Sequence, residues 1–284
     1  FFNLLKMKQL ISIELYKIFT KPRTYIGFGA IFIIVLAIQV GIYIKGDEML
    51  QMIITTLSDR FIFEGKLINM YGVSYIILNT LWIHVPILVA LVTGDLLAGE
   101  ANAGTYRILL TRPISRTKLV ISKFIAGLIY SLLLVILMIA LSMGVGWLLF
   151  GPGDMLVMTT KVSIISSDDI LWRFAGAYAY GMLCMTTVAG LSFFLSSFSD
   201  NSIGPIIGTI ALIIGITIIS TVGASLLEPV LPYFFTTYLT YWQEFFETEF
   251  TFKQIGLAVM VQVIYITIFS LITLFYFKKK DILT

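Results

Sequence analysis

At 284 residues, 58% of them apolar and only 12% charged, the chain carries too little polar surface to solvate a globule of its length, which excludes an ordinary soluble fold. Its formal net charge of +3 is small and its basic residues are split among distant segments, which excludes a nucleic-acid-binding face. The one cysteine, Cys184, cannot form an intrachain disulfide and reads as a small packing residue, and one histidine with no H-E-x-x-H excludes the zinc-protease pattern.

The chain opens on Phe1 rather than Met, so the expectation is that its N-terminus proper lies upstream. Leu4 to Thr20 alternates apolar residues with Lys6, Lys8, Glu14 and Lys17. This spacing turns the charges toward water and Leu4, Ile11, Leu15 and Ile18 toward lipid headgroups, predicting an interfacial elbow helix that Pro22 ends. Six segments then have the roughly 20 apolar residues needed to cross a hydrocarbon core of about 30 Å. They are Tyr25 to Ile44, Val73 to Leu97, Leu119 to Phe150, Phe174 to Phe198, Ile203 to Leu227 and Ile255 to Phe277. Uninterrupted apolar runs must satisfy their own backbone in lipid, so the predicted fold is all-α, a six-helix membrane bundle. The first span is too long for a signal-peptide core and lacks a small-x-small cleavage site, so it is expected to be retained. One domain over residues 1–284 follows, with the elbow at 1–22 and the bundle at 25–277.

Two connectors on one side are long, Lys45 to Gly72 and Gly151 to Arg173, and a third, Glu228 to Gln254, is rich in aromatics. Its rings suit an aromatic belt at the headgroups, with short interfacial helices forming a lid as the other reading. On the opposite side Ser199 to Ser202 makes a tight hairpin, and Pro205 fits the first turn of the fifth span. That side collects thirteen of the nineteen basic residues, among them Lys17, Lys21, Arg23, Arg107, Arg112, Arg116, Lys118, Lys123 and Lys278 to Lys280. The positive-inside rule then orients the chain with both ends, and the connector between spans two and three, in the cytoplasm.

The connector between spans two and three, Gly94 to Lys123, carries the densest chemistry. Glu100 to Thr111 has room for about three helical turns, ending before Pro113, and Ser115 can cap the third span with Arg116 and Lys118 at the headgroups. From the residues alone, an attachment helix lying on the membrane face and an ordinary basic loop are both open. No G-x-x-x-x-G-K-[ST] phosphate loop occurs, so the chain is not expected to hydrolyse ATP.

The order E-x-x-x-G-T-x-x-x-L-L-x-R-P-x-S-R, carried by Glu100, Gly104, Thr105, Leu109, Leu110, Arg112, Pro113, Ser115 and Arg116, resembles the coupling helix of type-2 ABC transporter permeases. The likeness extends to the six spans, the elbow, the short link after span four and the basic ending around Lys278-Lys279-Lys280. The resemblance implies a permease subunit of an ATP-driven exporter, with residues 98–118 as the cytoplasmic coupling segment, in which Arg107 and Arg112 face water or acidic groups. It further implies separate ABC ATPase subunits that hold ATP and Mg, and a second permease subunit making a homo- or heterodimer around the substrate path.

His84 and Asn79 fall within span two, where polar groups are costly and face the bundle or a water-filled cavity, so both are candidate linings of a translocation path. A packing role beside a kink at Pro86 is the plainer reading of His84. Gln39, Thr80, Gln262 and Tyr265 are open in the same way, and Gly176, Gly181, Gly190, Gly204, Gly208 and Gly215 suit close helix packing. An ion-coupled secondary transporter or channel is the alternative, and it would require charges within the spans. An intramembrane enzyme would need a carboxylate, histidine or serine constellation at membrane depth, which the spans lack.

Overall fold

The computed structural model describes residues 7–57, 68–106, 114–158, 162–223, 227–247 and 250–280. It is a helical bundle, and six of its helices are long and apolar enough to cross a membrane, at Pro22–Glu48, His84–Asn102, Arg116–Phe150, Ser167–Phe198, Ile203–Val222 and Phe252–Lys279 among the described residues. The chain therefore has the build of a multi-pass membrane protein.

Helix α1 covers Met7–Thr20, and after Lys21 helix α2 begins at Pro22, where a missing N–H is harmless at the first helical position. Helix α2 runs to Leu57, 36 residues or about 54 Å, so it continues well past the expected end at Ile44. No glycine-proline break interrupts it there, and Lys45 pairs with Glu48 across one turn at 2.6 Å.

The second span is broken twice. Helix α3 is Met70–Leu81, α4 is His84–Thr93 and α5 is Asp95–Asn102. Pro86 has no N–H to give the carbonyl four residues back, that of Trp82, and the helix opens at Trp82 and Ile83. Asn69 caps α3 by accepting from the amides of Tyr71 and Gly72, both at 3.1 Å. The third span comprises α6 (Arg116–Ile139), a π-helical segment (Ala140–Val145) and α7 (Gly146–Phe150), and Ser115 caps α6 by accepting from the Lys118 amide at 3.3 Å. The π segment is held from α2. The buried Gln39 amide donates to the carbonyls of Leu141 and Ser142 at 3.1 and 2.9 Å, the second of which also accepts from the Gly146 amide.

The long connector from Gly151 to Arg173 holds an antiparallel hairpin of β1 (Met155–Met158) and β2 (Val162–Ile165), with Met155 opposite Ile165 and Val157 opposite Ser163. Alternate residues Met155 and Val157 are buried, the two-residue period of a half-covered strand. The fourth span, α8 (Ser167–Phe198), is the hub against which α4, α5, α6, α9 (Ile203–Val222) and α10 (Phe252–Lys279) all pack.

The aromatic connector departs from the belt reading. Leu231–Tyr233 and Phe235–Phe246 form 3-10 stretches, and Phe235, Tyr238, Trp242, Phe245 and Phe246 are buried as a lid over one end of the bundle, while Tyr233 is exposed. Rings can enter the bundle because helix side chains take up the lid's carbonyls: Tyr180 donates to Tyr238 O at 2.6 Å, Gln262 to Phe235 O at 3.1 Å, and Arg173 to Phe245 O and Glu247 O, both at 2.9 Å. Gly176 is the packing glycine here, since a Cβ on it would stand 2.3 Å from the Phe245 ring.

Candidate functional site: a buried charge cluster at the base of the bundle

The end of the bundle opposite the lid gathers the start of α6, the end of α5 and the whole of α1 around four charged side chains. Leu10, Glu14 and Ile18, spaced four apart, form the buried stripe of α1 against α6. Glu14 was expected to face water with the lysines. It faces the bundle instead, because Lys123, eight residues into α6 and only 1% exposed, supplies its countercharge. Lys123 Nζ lies 2.7 Å from Glu14 Oε2 and 2.9 Å from Glu100 Oε1. Lys17 Nζ completes the ring, 3.1 Å from Glu14 Oε1 and 2.8 Å from Glu100 Oε1.

Two carboxylates and two ammonium groups thus neutralise each other in a site where a lone charge would be strongly disfavoured. Burial works against the charge on Lys17, yet its hydrogen bond to Glu100 and the two neighbouring carboxylates outweigh this and raise its pKa above the ordinary lysine value.

Glu100, Gly104 and Thr105 come together here. Glu100 to Thr111 was expected to be helical; α5 ends at Asn102, where Gly104 takes a positive φ of 65° and turns the chain, helical backbone returns at Tyr106, and residues 107–111 lie outside the described residues. The turn brings Thr105 back on Glu100: its amide donates to Glu100 O at 3.1 Å and its hydroxyl to Glu100 Oε2. Tyr106 follows, donating to Leu97 O at 2.7 Å and packing on Phe277, and burial raises its hydroxyl pKa above the tyrosine range. Arg107, Leu109, Leu110, Arg112 and Pro113 lie outside the described residues.

A second tie flanks the cluster. Asp95, 3% exposed, sits 2.7 Å from Lys21 Nζ and 2.8 Å from Arg23 Nη1, joining the α1–α2 hinge to α5. Gly99 makes room for that carboxylate, since a Cβ would stand 2.4 Å from Asp95 Oδ1. The restart of the helix at Asp95 leaves first-turn amides without helical acceptors. Ser196 of α8 serves as a cap from a neighbouring helix, its Oγ accepting from Leu97 N at 3.1 Å and Ala98 N at 2.8 Å. Arg116 does not simply point at headgroups: it donates to Lys278 O at 3.1 Å and Lys280 O at 2.8 Å, while Lys280 pairs with Asp200 at 3.0 Å. The base of the bundle is therefore one connected polar assembly into which α1, α5, α6, α8 and α10 all feed.

His84 and Asn79 belong to neither tie. His84 opens α4 at the exposed surface with Nδ1 2.7 Å from Thr80 O, and Asn79 accepts from Gln243 of the lid at 2.8 Å. Glu14, Lys17, Lys123, Asp95, Gly99 and Ser196 were not singled out as site residues from the sequence. The available signals were Glu14 in register with Leu10 and Ile18, and Lys123 interrupting an apolar run. Among the described residues no group of three or more His, Cys, Asp or Glu is arranged to hold a metal ion.

The chain is similar to the "Uncharacterized protein YhcI" of Bacillus subtilis (strain 168), 28% identical over 118 residues, a stretch that is 39% of this chain and 37% of that protein. A protein family matches residues 32–283, from within the first third of α2 to beyond α10. With nearly all of the bundle inside that match, the chain belongs to the family described as "Protein of unknown function (DUF2705)".

Proposed function

We propose that the chain is the membrane-spanning permease subunit of an ATP-driven exporter of the type-2 ABC class, paired with a second permease subunit and driven by ATPase subunits on separate polypeptides. In this reading the charge-cluster end is cytoplasmic, both chain ends lie inside, and α1 is an elbow along the headgroups. The chain carries no catalytic group; ATP and Mg belong to the partner. When ATP closes the partner subunits, residues 98–118 receive the motion and pass it to α1, α5 and α6 together, because Glu100 is ionically bound to both of the other helices. A soft loop would dissipate such a push; a ring of four paired charges moves as a unit.

The observation that carries the reading is that Glu100, Gly104 and Thr105, three positions of the resembling pattern, form a closed turn ionically tied to α1 and to the third span. The alternative, an ion-coupled transporter or channel, would use the same buried charges as a transport route. Their mutual neutralisation at the end of the bundle, rather than unpaired charge at mid-depth, favours a mechanical role. Replacing Arg107 and Arg112 together with Glu tests the proposal: ATPase co-purification should fall while the chain remains inserted and folded, and unchanged co-purification would remove the docking assignment.

A further inference from the structure

Between the break in the second span and the π segment lies a cavity of about 40 Å³, walled by Trp82, Met138, Tyr178, Gly181 and Cys184 and roofed by Trp242 of the lid. It is placed where two spans leave regular α-helical geometry: the opening at Trp82–Ile83 on one side, and the π-helical turn that starts just after Met138 on the other. Irregular turns of this kind recur at functional sites. Gly181 was expected to permit close helix packing; instead a Cβ built on it meets nothing within 4 Å, so it leaves space beside α8.

The chemistry of the walls selects the occupant. One water needs about 10–15 Å³ and two or more polar partners, whereas this larger space is almost wholly apolar and partly open. Tyr178 is already engaged, its hydroxyl 2.9 Å from Ser142 Oγ. Trp242 offers its ring, because its indole N–H is itself buried away from this space. Hydrocarbon suits such walls. We infer that this cavity takes the end of an acyl chain, its methylenes lying against Met138 and Gly181. This site lies within a single copy of the chain and does not depend on the exporter reading.

The experiment uses the full chain in bilayers with a photoreactive acyl chain from either of two sources. One arm places a diazirine in a phosphatidylcholine of the bilayer; the other adds an N-acylated peptide bearing the same chain to a plain bilayer, and adducts are mapped by peptide mass spectrometry. Labelling at Met138, at the Gly181–Met185 stretch or at Trp242 supports the site, and the arm that labels identifies the source. Gly181→Leu fills the space and should cut this labelling at least tenfold. Trp242→Phe keeps an aromatic roof and should leave most of the labelling in place. Adducts on the exposed Ile207 and Ile218 of α9 should persist in both variants, reporting a folded, embedded chain. Cavity labelling absent in both arms, or unaffected by Gly181→Leu while the α9 adducts persist, would overturn the assignment.

Discussion

Replacing Lys123 with Met removes the more deeply buried of the two cations and leaves Glu14 and Glu100 sharing only Lys17. Losing one partner of a buried ion pair costs about 3–5 kcal/mol, because a charge is left without compensation away from water. Lys123 touches both carboxylates, at 2.7 and 2.9 Å, but Lys17 stays within 3.1 and 2.8 Å of the same two groups. The loss should therefore fall near the lower end, about 3 kcal/mol. Combining Lys123→Met with Glu14→Gln removes one charge of each sign, leaves the Lys17–Glu100 pair intact, and should recover about 1–2 kcal/mol of that loss. Unfolding followed by circular dichroism during titration of micelles with sodium dodecyl sulfate measures all three variants. A single substitution within about 0.5 kcal/mol of wild type, or a double variant as unstable as the sum of the two single losses, would refute the charge-pair argument.

Ser196→Ala strips the cap from α5 and should cost about 1–2 kcal/mol in the same titration, with Ser196→Thr retaining most of the stability. Gly99→Ala pushes a methyl into the Asp95 carboxylate and should cost about 1–3 kcal/mol, a loss that shrinks when Asp95→Ala is added; equal losses in both backgrounds would disprove the contact. Gln39→Leu removes the side-chain donor shared by the π-segment carbonyls of Leu141 and Ser142 and should cost about 1–3 kcal/mol, whereas Tyr16→Phe on an exposed face should be nearly silent. Lys17 is held with a raised pKa, so the folded chain binds its proton more tightly than the unfolded chain. Its contribution is complete below the ordinary value of 10.5 and disappears only as pH rises through the higher folded value. Spin labels on exposed positions of α1 and α6 should keep their separation from pH 7 to 10 and part only above that range; separation at pH 8 would contradict the sign.

The spans were legible because an apolar run of twenty or more residues has one stable backbone in lipid, and each expected run falls on a spanning helix, although α2 runs on past Ile44 and α8 begins at Ser167, ahead of Phe174. The second span was legible in place but not in form: Pro86 announced a disturbance, while the restart at Asp95 depends on Ser196, about a hundred residues away, and no local pattern reveals that. Glu14 was misassigned for the same reason. On a helix of mixed character the charge pattern alone favours a wet face, and only the approach of Lys123 from α6 makes burial affordable. The lid rings were misjudged because amphipathic side chains suit either headgroups or a bundle end, and the choice turns on carbonyl acceptors that Tyr180, Gln262 and Arg173 satisfy from distant helices. Ser115, by contrast, caps α6 through contacts three residues apart, and local sequence suffices to see it.

The most direct measurement is photocrosslinking from a photoreactive amino acid at position 105, at the turn that closes on Glu100, in membranes that contain the chain with its natural partners. The account predicts an adduct to an ATP-hydrolysing subunit whose yield changes when ATP is bound. Adducts to lipid alone, or labelling of this turn by an impermeant reagent from the outer face, would contradict it.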